Sequence, residues 1–214
     1  MNVLIVDDHP MTVSGYSDSL SGSALFSSPM HFFKACNCEE AYFKLQTSAV
    51  LDLALIDFGL PPFPLKDIFS GSDLVTVVRK LHPQCKVIII TAHTEVITVY
   101  NLFKNTKPDG LIIKNDLTPE NLPYAVVEVL SGTAFQSSTV KKVVQDIWKK
   151  ELMIDDSNRE ILMYLSKGNK IKDIERSTSL SMSTIQRRIA HMKDAFNVAE
   201  DSTLVKEAIL QGFL

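Results

Sequence analysis

Apolar positions follow one pattern in the first part of this 214-residue chain and another in the last. The runs "NVLIV" (2–6), "MHFFKA" (30–35), "LALID" (53–57), "KVIII" (86–90) and "GLIIK" (110–114) are short, and several are apolar throughout rather than alternating. That pattern predicts strands of a parallel sheet covered on both faces. Between the runs, 11–20, 39–48, 72–82, 94–104 and 119–131 read as helices; in the fourth, Val96, Val99, Tyr100 and Phe103 recur at helical spacing. Five strand-helix repeats predict an α/β fold, a five-stranded parallel doubly wound sheet with its ligand site at the carboxyl ends of the strands.

The stretch "GTAFQSSTV" (132–140) interrupts the pattern and reads as the start of a linker, followed by a short amphipathic helix over 141–152 with Trp148 as a packing anchor. No strand run follows. Helical spacing covers 157–167, 170–177, 181–196 and 202–212, with Gly168 as a C-cap, Ser181 as an N-cap, and Asp201 or Ser202 opening the last helix. The expected organisation is an α/β domain at 1–131, a linker at 132–152 and a small all-α domain at 153–214.

Composition adds little to this and excludes several classes. A hydrophobic share of 45% and a charged share of 22% are those of a globular protein. No apolar stretch approaches the roughly 20 residues of a membrane span. The N-terminus reaches acids within a few residues and has no basic region, so no signal peptide is expected and the setting reads as cytoplasmic. Cys36, Cys38 and Cys85 make an odd count without a metal-type pair and read as reduced thiols. The net charge is −3, yet seven basic residues stand against two acidic ones between Lys167 and Lys193. Such a block is an electrostatic footprint for nucleic acid if the fold places it on one face.

The candidate chemistry lies at the strand ends. The first run ends in Asp7 and Asp8, the third in Asp57, the fourth in Thr91 and the fifth in Lys114. In a parallel sheet these residues share one edge. Gathered carboxylates raise one another's pKa unless a cation intervenes, and Mg²⁺ suits a few carboxylates, water and phosphate. Asp57 could then attack phosphorus and form an aspartyl phosphate, with Lys114 and the Thr91 hydroxyl offsetting charge on the phosphoryl oxygens. The plainer reading makes each acid a helix cap, Asp8 for the helix at 11–20.

"LIVDDHP", "LALIDFGLP", "VIIITAH" and "GLIIKND" resemble, in order, the acidic pair, phosphoacceptor, hydroxyl and lysine motifs of bacterial two-component response regulators. "LTPENLPYAVVEVLSGTAFQSSTV" is similar to the NarL/LuxR branch. The resemblance implies a flavodoxin-like receiver with Asp57 as phosphoacceptor and Thr91 and Lys114 as phosphoryl partners. It also implies Mg²⁺ held by Asp7, Asp8 and Asp57 with the Gly59 carbonyl, and a sensor histidine kinase or another phosphodonor as partner. Two positions depart from the family. Leu111 stands where an aromatic switch residue is usual, and "PFPLKDIFSGS" (62–72) is longer than the usual connection.

Toward the C-terminus, Ile161, Leu162, Tyr164 and Leu165, then Ile171 and Ile174, then Ile185, Ile189, Met192 and Phe196 give three helices an apolar face each. Two of them joined by "TSLS" read as a helix-turn-helix. The expected contacts to double-stranded DNA are Ser183, Thr184, Gln186, Arg187, Arg188 and Lys193 on the recognition helix, with Lys170 and Lys172 on the helix before it. The stretch resembles the LuxR-type DNA-binding domain, although Ser179 replaces a turn glycine. The last helix, with Leu204, Val205, Ala208 and Ile209, is similar to that family's dimerising helix and implies a homodimer on two half-sites. The function expected is a phosphorylated transcription regulator, not an enzyme beyond taking up and slowly losing its phosphoryl group. A receiver that works without phosphorylation is one rival. The other is a Mg²⁺-dependent phosphohydrolase, against which the adjacency of Asp7 and Asp8 and the missing substrate cap argue.

Overall fold

In a computed structural model the five apolar runs are strands: β1 (Asn2–Val6), β2 (His31–Ala35), β3 (Leu53–Asp57), β4 (Lys86–Thr91) and β5 (Gly110–Ile113). The structure describes the backbone of residues 1–214 and every side chain except those at 96, 97, 148, 150 and 154. The packing roles expected of Val96 and Trp148 therefore lie outside the described residues. Helices α1 (Pro10–Ser21), α2 (Cys38–Thr47), α3 (Gly71–Leu81), α4 (Val96–Thr106) and α5 (Asn121–Leu130) separate the strands. Their starts are chemically marked. Pro10 opens α1, Asn37 caps α2 by accepting from the Glu40 N–H at 2.8 Å, and Asp73 accepts from the Ser70 N–H at 3.0 Å to brace α3.

The chain divides into two compact units, 1–141 and 142–214. The first holds a parallel sheet in the order β2-β1-β3-β4-β5-β6. The sixth strand, β6 (Phe135–Gln136), falls in the segment expected to be linker and pairs with β5 in the register Gly110↔Phe135 and Leu111↔Gln136. It covers an otherwise open edge of β5, and Phe135 packs on the core. The expected five-stranded sheet is thus extended by a strand too short to show in an apolar pattern.

Every residue of β3 and β5 is buried, and β1 and β4 are buried beyond their first residue, as both-face coverage requires. One face packs Ile5, Leu55, Ile90 and Ile112 against Val13 and Leu20 of α1 and Leu122, Val126 and Val129 of α5. Each such side chain contributes about 1.5–3 kcal/mol relative to exposure. Asp109, just before β5, accepts from the Val87 N–H, Lys86 Nζ and Arg79 Nη2 at 2.9, 3.0 and 2.8 Å, fixing the start of β4 beside α3. The loop at 62–72 is also built. Phe63 and Ile68 form an antiparallel bridge around a 3₁₀ turn at Pro64–Lys66, and Phe63 packs on Tyr42 and Phe43 at 5.7 and 6.0 Å between ring centroids.

Helix α6 (Ser138–Ile154) begins in the first unit, and the second continues with α7 (Asp156–Ser166), α8 (Ile171–Ser177), α9 (Met182–Phe196) and α10 (Asp201–Leu210). Ile161, Leu162, Ile174, Ile185, Ile189, Met192, Leu204 and Ala208 form its core. Gly168, at φ 78°, ends α7 in a Schellman turn: the Asn169 N–H reaches the Tyr164 carbonyl at 3.1 Å and the Gly168 N–H the Leu165 carbonyl at 2.9 Å. Ser181 caps α9 by accepting from the Thr184 N–H. Among the described residues no helix is long and apolar enough to cross a membrane.

Candidate functional site

The parallel registers bring four strand ends to one edge. Asp7 follows β1, Asp57 ends β3 opposite Ile90, Thr91 ends β4 opposite Ile113, and Lys114 follows β5. Lys114 joins them: its Nζ lies 2.9 Å from Asp7 Oδ2 and 3.1 Å from Asp57 Oδ1. Asp7, Asp57 and Thr91 are buried, while Asp8 is exposed. Asp8 does not cap α1. The N-cap is His9, without a side-chain bond, so the plainer capping role for that acid is not what the structure shows. Thr91 Oγ1 accepts the His93 N–H at 3.0 Å, and Gly59 sits beside the carboxylate, a Cβ there falling 3.6 Å from Asp57 Oδ2.

The electrostatics follow from burial. Burial pushes Asp57 above the usual carboxylate range; Lys114 pulls it down, and Asp7 and Asp8 add to the rise. Burial works against the charge of Lys114 too, but its hydrogen bonds and attraction to Asp7 and Asp57 outweigh that and hold it above the usual lysine value. Tyr16 is raised by burial and by the fields of Asp7 and Asp57. A carboxylate that resists ionising next to two others is a place where added positive charge is stabilising.

Two residues of this edge escaped the sequence reading. His9 places Nδ1 2.7 Å from Asp8 Oδ1 and 3.2 Å from Asp7 Oδ1, and the three form a cluster with metal-ligand spacing. Gly71, the first residue of α3, donates its N–H to the Phe58 carbonyl at 3.0 Å, and a Cβ there would lie 2.0 Å from the Asp57 carbonyl oxygen. Only glycine lets α3 start so close behind the carboxylate. The sequence signal was available in the glycine of "SGSD".

In the second unit the expected DNA contacts separate into two groups. Ser183, Gln186 and Arg187 on α9, and Lys170 and Lys172 at the start of α8, are exposed. Thr184 is half-buried, with Oγ1 3.0 Å from the Ser181 Oγ. Arg188 turns inward. Its Nη1 donates to Asp155 Oδ2 and Asn158 Oδ1, both at 2.8 Å, tying α9 to the start of α7. Hydrogen bonding from Arg188 is the main cause holding the Asp155 carboxyl below its usual range. Lys193 pairs with Asp201 at 3.0 Å, tying α9 to α10.

A family model described as the response regulator receiver domain matches residues 3–125, which include Asp7, Asp8, Asp57, Gly59, Thr91 and Lys114. The chain belongs to the response regulator receiver family. It is 25% identical over 227 residues to the oxygen regulatory protein NreC of Staphylococcus haemolyticus, covering 100% of this chain and 99% of that one. It is 23% identical over 219 residues to the probable transcriptional regulatory protein NarL of Mycobacterium tuberculosis, covering 100% and 96%. RcsB from Salmonella enterica serovar Typhimurium, solved bound to a promoter in the presence of a phosphomimetic, superposes with a TM-score of 0.59 at 19% identity over 96% of each chain. That likeness shows that the fold is shared across both units.

Receiver domains of this family bind Mg²⁺ at an acidic pocket, and the residues present here fit such an ion. Asp7 Oδ2 is buried against the Lys114 ammonium, and the carboxylates of Asp7 and Asp8 stand with the His9 ring at metal-ligand spacing, a set of hard donors. Leu111, which stands where the resemblance leads one to expect an aromatic, is buried in β5 between Ile89 and Gln136.

Proposed function

We propose that this chain is a two-component response regulator that takes a phosphoryl group on Asp57 and regulates transcription by sequence-specific binding to double-stranded DNA. The observation that carries the reading is the Lys114 ammonium held between Asp7 and Asp57 at the carboxyl edge of a parallel sheet. In the transfer, an Asp57 carboxylate oxygen attacks phosphorus as the bond to the donor's leaving group breaks, giving an aspartyl phosphate and the released leaving group. Lys114 balances charge on the phosphoryl oxygens, and the Thr91 hydroxyl donates to one of them. Asp7, Asp8, Asp57 and the Gly59 carbonyl would hold Mg²⁺, which supplies Lewis-acid stabilisation of the phosphoryl oxygens when bound. The donor is a sensor histidine kinase or another phosphodonor. Beyond uptake and slow loss of that group the chain has no enzymatic turnover.

The exposed Lys170, Lys172, Ser183, Gln186 and Arg187 support the DNA-binding reading of 153–214. Hydroxyls and lysines suit phosphates, glutamine and arginine suit base edges. A homodimer would present two such faces to two half-sites, in the cytoplasm where the DNA lies. Within this reading 1–131 is the receiver, 132–152 the connection and 153–214 the output domain. Output without phosphorylation is a second reading, favoured by Leu111 in the place of an aromatic. The site assignment is tested with a small phosphodonor: wild-type chain takes up label at Asp57, and Asp57→Asn takes up none. Label retained in that variant would overturn it.

A further inference from the structure

Leu111 stands where the family resemblance expects an aromatic readout, and a change at Asp57 needs a route to the rest of the chain. Lys114 is where such a change would first register, since both of its carboxylate partners belong to the site. A phosphoryl group adds roughly two negative charges at Asp57 and draws the ammonium from its position between Asp7 and Asp57. The segment beyond Lys114 is tightly laced. Residues Lys114–Asp116 form a 3₁₀ turn closed by the Leu117 N–H on the Lys114 carbonyl at 3.1 Å. The Asp116 carboxylate then accepts both donors of Thr139, the N–H on Oδ2 and the hydroxyl on Oδ1, each at 2.9 Å.

Thr139 is the second residue of α6, so its N–H is one that no helical carbonyl can satisfy, and a carboxylate there also complements the helix dipole. Partial burial opposes the charge on Asp116, but hydrogen bonds from Ser137, Thr139 and Ser138 outweigh it and hold the carboxyl below the usual range. Before Lys114 the lacing is repeated. The Ser137 N–H donates to the Leu111 carbonyl and the Ser137 hydroxyl accepts from the Ile113 N–H, both at 3.1 Å. The start of α6 is thus bonded to the chain on either side of Lys114, through the Asp116 carboxylate after it and through the β5 backbone before it, and for the latter a leucine serves as well as an aromatic.

We propose that Asp116 is a positioning residue that couples Lys114 to the first turn of α6, the helix that leads from the first unit into the second. The coupling rests on the phosphorylation of Asp57 proposed above. Movement of the Lys114 ammonium toward a phosphoryl group shifts the turn it begins, and the Asp116 carboxylate moves or releases Thr139 with it.

The test follows amide hydrogen exchange at 138–142 in the full chain, with and without beryllofluoride and Mg²⁺, alongside labelling of Asp57 by a small phosphodonor. In the wild type, exchange in this turn changes on adding beryllofluoride. In Asp116→Ala, Asp57 is still labelled, the turn exchanges about fivefold faster from the outset, as for a lost helix cap, and the response to beryllofluoride is gone. Thr139→Val, which keeps the N–H and loses the hydroxyl, gives a diminished response, and Asp116→Asn, which keeps an acceptor, restores part of it. A merely structural role for Asp116 would loosen the turn and leave the response intact, which would overturn the coupling. So would a labelled wild type whose α6 turn does not respond. An unlabelled wild type would instead overturn the function proposed for Asp57, and the coupling with it.

Discussion

Asp57 and Asp109 are both carboxylates inside the fold, and their surroundings treat them oppositely. Burial and two neighbouring acids raise Asp57, so its ionised form is held at a cost that suits a group presented for chemistry. Burial opposes Asp109 as well, but the Val87 N–H, Lys86 and Arg79 outweigh it and hold its carboxyl below the usual range. Asp109 is therefore structural. A depressed folded pKa gives stability that is present above the ordinary carboxylate range and lost as pH falls through the folded value. Asp109→Ala should thus lower unfolding free energy by about 2 kcal/mol near neutral pH, with the deficit shrinking in acid; denaturant titrations at several pH values check this. A deficit that does not change with pH would contradict it. The acids at strand ends could be read from sequence because each interrupts an apolar run at a place the topology fixes. Asp109 and Asp116 could not, since the groups they hold lie 22 to 30 residues away, across turns whose geometry no local pattern encodes.

At the scale of elements, apolar periodicity located all the longer strands and helices, and most ends moved by a residue or two; α6, expected as a short helix over 141–152, runs from Ser138 to Ile154. The sixth strand was not legible. Two residues cannot show a period, and Phe135–Gln136 is a strand only because β5 offers it an edge. Periodicity also could not separate the surroundings of two side chains on α9. Arg187 and Arg188 both belong to its polar face in sequence, but Asp155 and Asn158 draw Arg188 into the link between α7 and α9 while Arg187 is exposed. The two arginines should separate in experiment. Arg188→Ala leaves buried Asn158 without its guanidinium partner and should cost about 1–3 kcal/mol of stability. Arg187→Ala should leave stability within about 0.5 kcal/mol and weaken DNA binding about tenfold or more. Thermal melts and binding titrations on both variants check this, and the opposite assignment of effects would contradict it.

At the scale of the whole molecule, charge is partitioned by task. A chain of net charge −3 keeps buried acids at one sheet edge and concentrates basic residues between Lys167 and Lys193 of its second unit. In the function proposed above, one unit would hold a phosphoryl group and the other would meet a polyanion, and α6 runs across the division between the units at 141 and 142. On that proposal phosphorylation would act by shifting a pre-existing equilibrium in the chain, and its effect on DNA binding would be a coupling free energy between two sites. The measurement that tests this most directly is affinity for DNA recovered with the protein, compared for wild type and Asp57→Asn, each with and without beryllofluoride and Mg²⁺. The account predicts that the wild type changes affinity about tenfold on adding beryllofluoride and that Asp57→Asn does not change. Equal affinity in all four conditions would contradict it.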